Sequence, residues 1–122
     1  MTVKTRGQIE AEFTKAIIQF EKEYLGRGPL EARTFLINDM ILVRLRGILT
    51  PAEGRLAESP EGQALVKETR RRLFESSRPL LEDIVRDVVG CNVISLHTDM
   101  STRTGERIIV FTVDVDLDRQ LS

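Results

Sequence analysis

Ala32-Arg33-Thr34-Phe35-Leu36-Ile37-Asn38-Asp39-Met40-Ile41-Leu42-Val43-Arg44-Leu45-Arg46 is the stretch on which the fold turns. Two β-prone runs, residues 32–37 and 40–46, flank Asn38-Asp39, a pair that tolerates positive φ and suits a two-residue hairpin turn. Pairing across that turn puts Ala32, Thr34, Leu36, Ile41, Val43 and Leu45 on one face. Arg33, Phe35, Ile37, Met40, Leu42, Arg44 and Arg46 share the other. The first face is an ordinary core face for helices. The second is apolar near the turn and carries three arginines towards its base. An exposed apolar patch marks an interface, so Phe35, Ile37, Met40 and Leu42 are expected at the centre of a homodimer. The alternative is a neighbouring helix wrapped around that edge. Arg33, Arg44 and Arg46 offer the fork geometry that holds a carboxylate, phosphate or bicarbonate. The plainer reading is three charges on a solvated strand face.

A second hairpin lies near the other end, with strands over residues 92–99 and 107–115. Ile94, Leu96 and Thr98 face one way, and Val93, Ser95, His97 and Asp99 the other. On the return strand Ile109, Phe111, Val113 and Val115 alternate with Ile108, Val110, Thr112 and Asp114. The connecting turn, Ser101-Thr102-Arg103-Thr104-Gly105-Glu106, gathers three hydroxyls, an arginine and backbone amides around a glycine. Ser101, Thr102, Thr104 and Gly105 are thus a candidate cradle for an oxyanion or a partner's backbone. The competing reading is a turn held together by its own side chains.

His97, the sole histidine, has Asp99 two residues on along the same strand face, and such a pair could orient an imidazole as a general base. No recognisable motif fixes a serine or cysteine nucleophile beside it. Two ligands also fall short of the three or four that zinc needs. A strand histidine hydrogen-bonded to a neighbour is the more economical reading, and no catalytic residue, metal or cofactor is assigned. Asp114, Asp116 and Asp118 lack the glycine and distal glutamate of a calcium loop. They are expected to discourage edge-to-edge pairing.

Helices are expected before each hairpin. Residues 6–25 start with a capping-box pattern, Thr5 and Gln8, and place Ile9, Phe13, Ala16, Ile17, Phe20 and Tyr24 on one face. Glu21 falls in the polar remainder of that helix. Gly26-Arg27-Gly28-Pro29 then turns the chain, as a helix-to-strand link in preference to an anion nest. Thr50-Pro51-Ala52-Glu53 opens a short helical turn over residues 51–58. A longer helical segment, residues 60–89, carries Leu65, Val66, Thr69, Leu73, Ser76, Ser77, Leu80, Leu81, Ile84, Val85 and Val88 along one side. Pro79 inside it predicts a kink, or a split near Ser77. Lys67, Arg70, Arg71, Arg72 and Arg78 form a basic cluster. The i,i+4 partners Glu68–Arg72, Arg71–Glu75, Arg78–Glu82 and Glu82–Arg86 make it read as a salt-bridged, solvated face. Cys91 reads as a small buried filler.

Helix, hairpin, helix, hairpin gives an α+β two-layer sandwich with an internal αββαββ repeat, residues 5–47 and 60–117. One four-stranded antiparallel sheet carries the helices on one face. The 122 residues are expected to form a single domain. Lysine and arginine number 18 against 19 aspartate and glutamate, spread evenly along the chain. That balance lacks the basic stripe of a nucleic-acid binder, so no nucleic-acid partner is expected. One cysteine suits a reducing compartment, and no apolar run nears the ~20 residues that span a bilayer. Residues 1–7 are not expected to form a signal peptide. A cytoplasmic location follows, with any membrane role peripheral.

Three segments together resemble one bacterial family, the MpsC family: Phe20-Glu21-Lys22-Glu23-Tyr24-Leu25-Gly26-Arg27-Gly28-Pro29, then Asp39-Met40-Ile41-Leu42-Val43-Arg44-Leu45-Arg46-Gly47-Ile48-Leu49-Thr50-Pro51-Ala52-Glu53, then Asp99-Met100-Ser101-Thr102-Arg103-Thr104-Gly105-Glu106-Arg107. The Arg78-Pro79-Leu80-Leu81 helix adds to the likeness, which covers nearly the whole chain. The resemblance implies the soluble component of a Na+-linked, membrane-potential-generating system associated with inorganic-carbon (bicarbonate) uptake. It implies a membrane-protein partner and no known enzymatic activity. Gly26, Arg27, Gly28, Pro29, Arg44, Gly47, Thr50, Glu53, Ser101, Thr102, Thr104, Gly105 and Glu106 match its motifs, and many are turns and caps already explained physically. Arg44, Ser101, Thr102 and Thr104 are less explained and join the candidate anion or partner site with Arg33, Arg46, His97, Asp99 and Gly105. The functional expectation is an accessory or regulatory protein that binds a partner, with a small anion as a candidate ligand. The alternative is a small enzyme using His97 and Asp99 beside an oxyanion-binding turn.

Overall fold

A computed structural model describes residues 4–121. Helix α1 (Arg6–Tyr24) starts where expected, and Thr5 and Gln8 close both arms of the capping box, at 3.1 and 2.8 Å. Two strands, β1 (Glu31–Ile37) and β2 (Met40–Arg46), pair from Ile37↔Met40 to Glu31↔Arg46. The turn between them is made possible by Asn38, at φ 53°. Thr50 caps the short helix α2 (Pro51–Leu56), again with a complete capping box through Glu53. Ser59 then caps α3 (Pro60–Ser76).

The long helical segment splits at Ser77. Helix α4 (Arg78–Ile84) begins there with Pro79 in its first turn, where a missing N–H is tolerated. It runs into a widened π-type turn, Val85–Val89, in which the Gly90 N–H reaches back to the Val85 carbonyl (3.2 Å). Strands β3 (Val93–Ser101) and β4 (Glu106–Val113) form the second hairpin, and α5 (Leu117–Gln120) closes the described chain.

The four strands form one antiparallel sheet in the order β1-β2-β4-β3, so the second strands of the two hairpins meet at its centre. Inward side chains of the sheet, Leu36, Ile41, Val43, Leu45, Ile109, Phe111 and Val113, bury against Ile9, Phe13, Ile17 and Phe20 of α1 and against Val66, Phe74, Leu81 and Val85. Phe13 meets Phe111 edge-on at 5.6 Å, and Phe20 meets Phe74 at 6.2 Å. The helices thus cover one face of the sheet, the α+β arrangement expected.

Four readings need correction. The buried stripe of α3 is Gly62, Val66, Arg70 and Phe74, while Leu65 and Leu73 are exposed: the helix is rotated from the expected phase, so that an arginine points inward. On α1, Tyr24 is exposed and Glu21 buried, the reverse of the expectation. Among the i,i+4 pairs, Arg72–Glu68 and Arg78–Glu82 form, but Arg71 turns to Glu68 and Arg86 to Asp83. The aspartates after β4 guard no edge, because β4 is an inner strand. Asp114 accepts from the Asn92 backbone and side chain, Asp116 caps α5, and Asp118 pairs with Arg6 at 3.0 Å.

Candidate functional site

Between the sheet and the helices, where apolar packing is the rule, three charged side chains are buried together: Glu21 of α1, Arg70 of α3 and Arg107 of β4, at 1%, 2% and 2% exposure. Their positions follow from local periodicity. Glu21 continues the four-residue step Ile9, Phe13, Ile17 of α1, and Arg70 sits in the step Gly62, Val66, Phe74 of α3. Arg107 heads the alternating inward row Ile109, Phe111, Val113 of β4.

Arg70 is satisfied at two of its three nitrogens. Its Nε and Nη2 donate to both carboxylate oxygens of Glu53 (2.8 and 2.7 Å), and Nη2 also donates to the Ile48 carbonyl (2.8 Å). The pair ties α3 to α2, whose capping box orients the same glutamate: Glu53 Oε1 also accepts the Thr50 N–H (2.9 Å). Partial burial raises the Glu53 pKa, but the hydrogen bonds from Arg70 and Thr50 outweigh it and hold the carboxyl below its ordinary value. This is a bidentate, largely buried pair, the geometry in which an ion pair matters structurally.

Arg107 and Glu21 are less satisfied. Arg107 donates from Nη1 to Thr98 Oγ1 (2.9 Å) and from Nη2 to the weak acceptor Met100 Sδ (3.8 Å), with its guanidinium 4.7 Å over the Phe74 ring. Its Nε, Arg70 Nη1 and both Glu21 carboxylate oxygens are buried without a hydrogen-bond partner among the described residues. Burial pushes the Glu21 pKa up to about 7, against the pull of Arg107 and then Arg70; Glu53 adds a smaller push upward. Leaving such groups buried and unpaired carries a penalty of roughly 1–3 kcal/mol each, more for charged ones, which makes the cluster a candidate functional site.

Arg107 forms the floor of a cleft of about 190 Å³ between α3 and the edge strand β3. Phe74, Met100 and Thr98 line its inner part, and Lys67, Arg71, Glu68, Glu75 and Asp99 its rim. The rim charges pair among themselves: Lys67 with Asp99 (3.4 Å) and Arg71 with Glu68 (2.8 Å).

Of the site residues expected from sequence, Asp99 stands on this rim, and the others lie elsewhere. Arg33, Arg44 and Arg46 meet at one end of the outer sheet face and line a shallow depression with Glu31 and Ala32. Arg44 pairs with Glu106 (2.7 Å) and Arg46 with Glu31 (3.5 Å) and Glu106 (3.7 Å), while Arg33 stacks over Phe35 at 5.0 Å. Thr104 joins this corner. The Ser101 hydroxyl accepts the Thr104 N–H (3.2 Å), and the Thr104 hydroxyl accepts the Glu106 N–H (3.3 Å). Gly105, at φ 72°, donates to the Ser101 carbonyl (2.9 Å) and accepts from Ile48 N–H (3.1 Å), and Thr102 stands half-buried in the same turn. That turn therefore spends much of its polar chemistry on itself. His97 Nε2 lies 3.2 Å from Ser95 Oγ, whereas Asp99 accepts the Met100 N–H and pairs with Lys67, so the two are not drawn together. Cys91 is buried, its thiol pushed up to about 11 by burial and then by Asp114. Phe35, Met40, Leu42, Ile108 and Val110 are half-buried and Ile37 exposed on the outer sheet face. Among the described residues no helix is long and apolar enough to cross a membrane, and no cluster could hold a metal ion.

Comparison with known proteins accounts for the chain almost end to end. An uncharacterised protein of Bacillus subtilis (strain 168), YbcI, is 48% identical over 118 residues, covering 97% of this chain and 95% of that protein. A second from the same organism, YrhF, is 28% identical over 111 residues, covering 89% and 90%. No solved structure matches. The model of the MpsC family, described as a Na+-translocating membrane potential-generating system, matches residues 5–115, and the chain belongs to that family.

Proposed function

We propose that this protein is a non-enzymatic accessory component of an MpsC-type, Na+-linked membrane-potential system. It acts from the cytoplasmic side, and inorganic-carbon uptake is the process such a system would energise. It works as a homodimer. The family match supports the system role, and the homodimer rests on the outer face of the sheet, where Phe35, Leu42 and Val110 stand in one cross-strand row and Ile37, Met40 and Thr112 in the next. All the helices pack on the opposite face. An apolar sheet face of this kind is a normal partner for a second sheet about 10 Å away.

Charge distribution favours a second copy as the occupant. One end of the face carries Arg33, Arg44 and Arg46 with Glu31 and Glu106, and Asp39, Asp114 and Asp116 cluster at the opposite strand ends. A two-fold axis lying between the sheets and across the strands sets the arginine end of one copy against the aspartate end of the other. The same axis brings Leu42 to Leu42 in the middle. This is a self-complementary, isologous contact. The helical layer, with Tyr24, Leu65, Leu73 and Leu80 exposed, stays free for a membrane-protein partner.

Deleting the gene and following membrane potential with a voltage-sensitive dye, with and without sodium, tests the role. The sodium-dependent component is expected to fall, to return with the wild-type gene, and not to return with Leu42→Asp. A sodium-dependent potential unchanged by the deletion would refute the proposal.

A further inference from the structure

We propose that the cleft between α3 and β3 is a binding site for a small oxyanion, a carboxylate or an inorganic oxyanion, gripped at its floor by Arg107. Four observations meet there. Arg107 is almost wholly buried, lines the cleft, and retains a buried Nε donor without a partner. A planar guanidinium is the side chain best shaped to clasp an oxyanion with parallel N–H donors. Its remaining contacts, Thr98 Oγ1, Met100 Sδ and the Phe74 ring, hold it in place without supplying a hydrogen-bonded carboxylate. On the rim, Lys67 and Arg71 are matched by Asp99 and Glu68 and Glu75 is a further carboxylate, so the cation left for an oxyanion is Arg107 at the floor. A cleft of about 190 Å³ admits a molecule of a few heavy atoms and no larger chain.

Glu21 couples this site to protons. The charged groups acting on it are Arg107 from β4, Arg70 from α3 and Glu53 from α2, and those acting on Arg107 are Glu21, Arg70 and Asp99. An anion on Arg107 cancels much of the positive potential that helps keep Glu21 ionised. Glu21 then takes up a proton as the anion binds. Affinity is therefore highest in mild acid and falls by up to about tenfold per pH unit above the neutral range.

The test is an amide NMR titration of the full chain with sodium acetate, sodium phosphate and sodium chloride at constant ionic strength. Saturable shifts at Phe74, Thr98, Met100 and Arg107 with an oxyanion, and not with chloride, are expected. Saturation by acetate alone identifies a carboxylate ligand, and by phosphate alone an inorganic phosphate. Arg107→Lys keeps the charge, loses the fork, and is expected to weaken binding about tenfold or more; Glu21→Gln is expected to keep binding and lose its pH dependence. The proposal falls if no oxyanion gives saturable shifts, if chloride gives the same ones, or if Arg107→Lys binds as tightly as wild type.

Discussion

Replacing Glu21 by glutamine should stabilise the protein, and only where the carboxylate would otherwise be charged. Glutamine keeps the shape of the protonated acid, so the substitution isolates the charge. The folded state holds the Glu21 pKa at about 7 against an ordinary 4.5, with burial the main cause. Between those values the folded chain keeps a proton that the unfolded chain has released, so stability falls as pH rises through that window. The full loss is present above about 7 and absent below 4.5. A displacement of that size corresponds to about 3 kcal/mol. For a domain of this length, that is roughly 10 °C in Tm. Urea unfolding of wild type and Glu21→Gln, in chloride buffers at pH 4 and pH 8, provides the assay. The two proteins are expected to match at pH 4, and the variant to exceed wild type by about 3 kcal/mol at pH 8. Comparing the two cancels the titration of other carboxylates. An equal difference at both pH values, or a less stable variant at pH 8, would refute the reasoning.

Arg70→Met removes the fork that joins α3 to Glu53 and to the Ile48 carbonyl, stranding a partly buried carboxylate, and is expected to cost about 3 kcal/mol or more in urea unfolding. Glu53 carries the opposite sign of pH dependence to Glu21: its pKa is held down, so the stability it lends is present above the ordinary carboxylate value and lost as pH falls through the lowered one. A double variant, Arg70→Met with Glu53→Gln, is expected to recover part of the loss. Cys91 should resist a thiol reagent at pH 8 in the folded protein, since burial both covers it and pushes its thiol up to about 11, and should react promptly in denaturant. Fast labelling of the folded chain would contradict the buried setting.

The sheet was legible because strand alternation is strict except at the start of β3, where a register shift between Val93 and Ser95 leaves Ile94 exposed instead of on the expected core face. Both faces of the first hairpin, from Ala32 to Arg46, follow directly from a period of two about Asn38-Asp39, and the register confirms them. The helices were harder. In 60–89 apolar residues occur on two adjacent strips, and the strip expected from sequence mixes them: Val66, Leu81 and Val85 are buried, whereas Leu65, Leu73 and Leu80 face outward. The true inward strip includes Arg70, which no apolar template would select. The same prejudice concealed the buried cluster: Glu21 and Arg107 lie in phase with Ile9-Phe13-Ile17 and with Ile109-Phe111-Val113, and only their charge argued against burial. Phase was the available signal, since a charged residue on an otherwise apolar step is either a helix or strand end or a buried functional group. Arg33, Arg44 and Arg46 do converge, as their shared face predicted, but the carboxylates of Glu31 and Glu106 that engage Arg44 and Arg46 come from the partner strands. Cross-strand pairing of that kind depends on sheet order, and sheet order depends on how the two hairpins meet.

The most direct test of the proposed role of the outer sheet face is sedimentation equilibrium of the purified full chain, alongside Leu42→Asp. A dimer of twice 13.9 kDa is expected for wild type, and a folded monomer with an unchanged circular dichroism spectrum for the variant. A wild-type mass of 13.9 kDa at concentrations up to about 100 µM, which bounds self-association below roughly 5.5 kcal/mol, would contradict the account.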